Sequence, residues 1–118
     1  MDLYTLLTPP FESLVKEIHA VNHSWKLASD EIFNNEHFLA KSLRDLKVRL
    51  QVKLLRNYAP NFVYLVEDKE TESEEELYSL QLISNVGNYQ DAAHLPVRAA
   101  KEVLSLEEIN KFSKNNQS

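Results

Sequence analysis

Residues 62–83 constrain the fold more than any other stretch. Residues 62–66, FVYLV, are β-branched, aromatic or aliphatic throughout. Residues 77–83, LYSLQLI, place Tyr78, Leu80 and Leu82 on one face by alternation. Between them lies EDKETESEEE, residues 67–76, with seven acids in ten positions. Charges of one sign at that density repel and stay hydrated, so the segment reads as a long solvated loop between two antiparallel strands. The first run is apolar on both faces and needs cover, and a lone hairpin is marginal in water. The class that meets both demands is α+β, with helices packed on a small antiparallel sheet.

Apolar periodicity supplies the helices. Thr8 reads as an N-cap with Pro9 at the first helical position, where its missing N–H costs nothing. Phe11, Leu14, Val15, Ile18 and Val21 then form one apolar face, Asn22 reads as a stop, and the leucine-rich residues 1–7 should dock on the core. Residues 24–33 read as a short second helix with Trp25, Ala28, Ile32 and Phe33 inward, and Asn34 or Asn35 as the next cap. Residues 36–58 fit two templates. As a helix, Leu39, Leu43, Leu46, Leu50 and Leu54 form one stripe; as a third strand, residues 46–54 alternate apolar and polar side chains. The helix propensity of Leu, Lys, Arg and Gln favours the helix, and Pro60 ends the element either way. Residues 85–93 read as a loop with Gly87 in the left-handed conformation. Pro96 opens a helix to residue 104, and Ser105 with Glu108 makes a capping box before Leu106, Ile109 and Phe112. Residues 1–113 form one domain, and 114–118 a frayed tail.

Composition excludes several classes of chemistry. The absence of cysteine removes disulfides, thiolate metal sites and cysteine nucleophiles, and points to a reducing compartment. A single glycine leaves no P-loop or dinucleotide fingerprint, so no cofactor is expected. A formal charge of −5 opposes non-specific nucleic-acid binding. No apolar run is long enough to span a bilayer, and the N-terminus does not have the pattern of a secretory signal, so the expected setting is the cytoplasm, off the membrane.

The remaining constellations are weak. His19 and His23 share a helical spacing without further ligands, and read as surface histidines. Asp68, Glu70, Glu72 and Glu74 lack the glycine of a calcium loop, which leaves a divalent-metal response as an alternative only. No serine or threonine sits in a nucleophile context. Lys41, Arg44, Lys47, Arg49, Lys53 and Arg56 make one basic segment, offset only by Asp45, with no aromatic residue interleaved for base stacking. On a helix, Val48, Val52 and Leu55 fall opposite the leucine stripe. With Arg49 and Lys53 they make an expected interaction surface, covered by another protein or by a second copy in a homodimer. The leading expectation is therefore a non-enzymatic protein-interaction module, regulatory or assembling. The alternative is a small-ligand binder or enzyme that gathers the loop histidine His94 with Asp91 and the hairpin tyrosines Tyr64 and Tyr78.

Overall fold

A computed structural model describes the backbone of residues 3–32, 37–71 and 73–113, and the side chains of 10–29, 37–71 and 73–113. Helix α1 runs Leu3–Lys26 and passes into a π-helical stretch, Leu27–Ile32. Helix α2 spans Phe38–Tyr58, and the strands are β1 Val63–Asp68, β2 Leu77–Val86 and β3 Tyr89–Pro96. Two short helices close the chain, α3 Val97–Val103 and α4 Leu106–Phe112. The sheet has the order β1-β2-β3 and is antiparallel throughout. This is the expected α+β class, with helices on a small antiparallel sheet.

The expected hairpin forms, with Val63 opposite Leu82 and Leu65 opposite Leu80. Those four side chains are buried and face the helices, and the alternate positions Val66 and Ile83 are exposed. The pairing runs further than expected. Glu67 and Asp68 lie opposite Tyr78 and Leu77, so the acidic loop begins only at Lys69. Residues 46–54 belong to α2, and the third strand is instead β3, within the stretch expected to be mostly loop. Its signal was the dipeptide Gly87-Asn88 between two pairing runs. Val86 pairs with Tyr89 across it, and Gly87 has φ 59. Glycine at the first position of a two-residue connection closes a hairpin whose twist matches its strands. The register then shifts twice along β3, and Ala93 adopts φ 66. The Asp91 carboxylate accepts from the Ala93 N–H at 3.0 Å and holds this left-handed bulge.

Helix α1 differs from its signals at both ends. Pro9 and Pro10 lie about two turns inside it, not at its start, and Thr8 is not its N-cap. Asn22 does not stop it, because asparagine only weakly disfavours helix and no Gly or Pro follows. The expected separate helix from residue 24 is the continuation of α1, with Ala28 buried. Asn34, Asn35 and Phe33 lie outside the described residues. The N-cap of α2 is His37, whose Nδ1 accepts from the Leu39 N–H at 3.1 Å.

The inward face of α2 is rotated from the expected one: Leu54 is in the core and Leu50 packs against it, but the face centres elsewhere. Leu39 and Leu46 are exposed, and Val48, Val52 and Leu55 lie in the core with Leu54. A stripe at steps of three and four drifts slowly around a helix, so neighbouring faces compete for the core. Here the winning face includes Lys47 and Gln51, both buried. Their polarity disguised it in the sequence. Leu14, Val15 and Ile18 of α1 join this core as expected. So do Ile109 and Phe112 behind the Ser105–Glu108 capping box, whereas Leu106 is exposed. No described helix is long and apolar enough to cross a membrane.

Candidate functional site

The free side of β3 is where α1 and α2 meet the sheet, and side chains there stand in for a fourth strand. Gln51 Nε2 donates to the carbonyls of Ala92 and His94 at 2.9 and 3.0 Å. His19 Nε2 donates to the carbonyl of Asp91 at 2.6 Å, and its ring stacks on Tyr89 at 3.8 Å. An edge whose carbonyls are occupied this way is closed to strand addition. These contacts also hold the last turns of α1 and the middle of α2 beside the end of β3.

A cavity of about 320 Å³ opens at that junction, lined in part by Trp25 and Lys26 of α1, Arg44 and Lys47 of α2, and His94 of β3. Lys47 is its most unusual wall. The residue is 4% exposed, and its ammonium stands 4.9 Å from the centre of the Trp25 ring. No described carboxylate lies within ion-pair distance of it. Burial pushes its pKa down from 10.5 to about 8, assisted by the positive charges of Lys26 and Arg44 and opposed by Glu75. The indole N–H of Trp25 is itself buried without an acceptor among the described residues. The corner thus places a buried ammonium and a buried indole N–H side by side, neither of them paired by a described acceptor.

His94 is held at the same cavity by a 2.6 Å hydrogen bond from Nε2 to Asp68 Oδ2. The Asp68 carboxyl is lowered to about 2, first by the Thr71 hydroxyl, then by the backbone N–H groups of Thr71 and Glu70 and by His94. One carboxylate therefore anchors both the start of the acidic loop and the histidine.

The ligand site expected from sequence is divided by the fold. Asp91 lies across β3 from the cavity, near His19, with 3.8 Å between Oδ1 and Nε2. Tyr64 pairs with Gln81 and Tyr78 with Glu67, which places the tyrosines on opposite faces of a regular ladder. Only His94 of that set reaches the cavity. The expected interaction surface is also corrected. Val48, Val52 and Leu55 are buried within the chain's own core, so the physical ground for a dimer covering them is gone. Arg49 and Lys53 are exposed, and Arg49 lines the adjoining cavity. In the sequence Trp25 reads as a core residue and Lys47 as one of a basic segment; only the fold brings them together. Among the described residues, no three His, Asp or Glu side chains converge as metal ligands. No family model, curated protein or solved structure matches this chain, so its geometry carries the functional reading.

Proposed function

We propose that this chain is a non-enzymatic binding module, whose cleft between α1, α2 and the end of β3 receives an anionic group, carboxylate or phosphate, of its partner. The observation that carries the reading is Lys47: buried, with no described carboxylate at ion-pair distance, and beside the positive charges of Lys26 and Arg44. An ammonium removed from water costs several kcal/mol unless an anion and hydrogen bonds replace its hydration. Methionine would fill the same space without that cost. A ligand anion would supply the missing charge, and the Trp25 face packs against the lysine meanwhile. Arg44 at the wall adds donors suited to a carboxylate or phosphate. Absence of cysteine fits action in the reducing cytoplasm.

Thermal unfolding at constant ionic strength tests the reading. Millimolar citrate, glutamate or inorganic phosphate should raise the melting temperature over chloride, and the increase should vanish in Lys47→Met. Equal melting temperatures in all these salts would overturn it.

A further inference from the structure

The Lys47 cavity is one end of a longer groove. It shares Arg44, Glu75 and Pro96 with a neighbouring cavity of about 440 Å³ between α2 and α3. That cavity shares Glu75, Arg98 and Glu102 with a third of about 600 Å³ that reaches Lys101. Six cations line the run: Lys26, Arg44, Lys47, Arg49, Arg98 and Lys101. Part of its lining is apolar, from Pro96, Val97, Ala99 and Val103.

The acidic segment already contributes to this groove, through Ser73, Glu75 and Glu76. Glu75 lines all three cavities, and its Oε2 is 3.5 Å from Arg98 Nη2. It also acts on Lys47 through its charge, although it stands beyond ion-pair range. The chain thereby shows the chemistry its groove accepts: a glutamate whose carboxylate stands beside a guanidinium, in a cavity with partly apolar walls. A nucleic-acid strand fits less well. Among the described residues Trp25 is the sole Phe, Tyr or Trp side chain lining the groove, which leaves little surface for bases to stack on.

We propose that the groove binds an extended, glutamate-rich peptide segment of a partner protein, with Glu75 as the internal placeholder that the segment displaces. This rests on the anion-binding reading of the Lys47 cleft and names the kind of partner. Several carboxylates along one strand engage several cations at once, whereas a single small anion engages only those around Lys47. Electrostatic complementarity of this kind sets partner choice and the rate of encounter.

Fluorescence anisotropy with a labelled hexaglutamate peptide tests it on the full chain. Binding should weaken with salt. Lys47→Met and, as a variant outside the buried core, Arg44→Gln should each weaken it about tenfold, equivalent to the loss of one well-placed charge contact. Glu75→Gln should tighten it about threefold by removing the competitor. Lys53→Ala, outside the groove, should leave it unchanged. Equal affinity in Lys47→Met, Arg44→Gln and Lys53→Ala would overturn the peptide proposal, as would tighter binding of a thymidine oligonucleotide of matching charge. If citrate stabilises the chain through Lys47 but hexaglutamate binds no better than free glutamate, the peptide groove fails and the cleft reading stands. If no small anion stabilises the chain while hexaglutamate binds irrespective of Lys47, both fail.

Discussion

The two halves of α2 treat their cations in opposite ways. Near the C-terminal end, Arg56 donates from Nε to Glu108 Oε2 at 2.9 Å, and from Nη2 to Glu108 Oε1 and to the Val103 carbonyl. Glu108 also completes the capping box of α4, and the Arg56 contacts hold its carboxyl below the usual range. Half a helix earlier, Lys47 is far more buried and has no such partner among the described residues. Arg56 lies at the rim, where an unpaired charge would cost little, yet it is matched. Lys47 lies where an unpaired charge costs most, yet no described carboxylate pairs with it. Stability alone would place the carboxylate the other way round, and this difference is what the proposed binding role of the Lys47 corner accounts for.

Breaking the scaffold should have the largest effect. Leu54→Ala removes a side chain with no exposed surface, in the packed half of α2, and should cost about 3 kcal/mol in urea unfolding. A loss under about 1 kcal/mol would mean that this half is not the rigid one. Gln51→Leu comes next. It keeps the volume but leaves the Ala92 and His94 carbonyls without their donor, and should cost about 2 kcal/mol. Hydrogen exchange should quicken along β3 more than along β1. The smallest of these effects belongs to Ser105→Ala, which deletes the hydroxyl that accepts from the Glu108 N–H at 3.1 Å. About 1 kcal/mol is expected, confined to the α4 end, with anion binding unchanged.

The same contrast explains what the sequence made legible. The scaffold was readable wherever a local rule acted by itself: the alternation of Tyr78, Leu80 and Leu82, the Leu14–Val15–Ile18 face, and the Ser105–Glu108 box. It failed wherever polar residues were recruited inward. Lys47 and Gln51 made the true core face of α2 look like its surface, and Gln90, Asp91 and two alanines hid β3 behind poor strand formers. The cleft was not legible, because Trp25, Lys47 and His94 come from three elements and only the packing of α1 and α2 against β3 joins them. A basic residue between apolar ones, at Lys47-Val48, was the single local hint, and it equally fitted a solvated face.

The central claim is that Lys47 is kept at a cost to stability, and its pH dependence is the direct measure. Below pH 8 the lysine is protonated in both folded and unfolded chains, and the folded state carries the full penalty. Between about 8 and 10.5 the folded chain has lost that proton while the unfolded chain still binds it, so stability rises with pH. Lys47→Met should therefore be more stable than the parent chain at pH 7, by about 1–3 kcal/mol. Its advantage should shrink steadily as the parent gains stability toward pH 10.5. Urea unfolding of both chains at pH 7, 9 and 10.5 reads this difference while the other titrating groups cancel. A methionine variant less stable at pH 7, with a gap that does not change with pH, would show Lys47 to be an ordinary packed side chain and contradict the account.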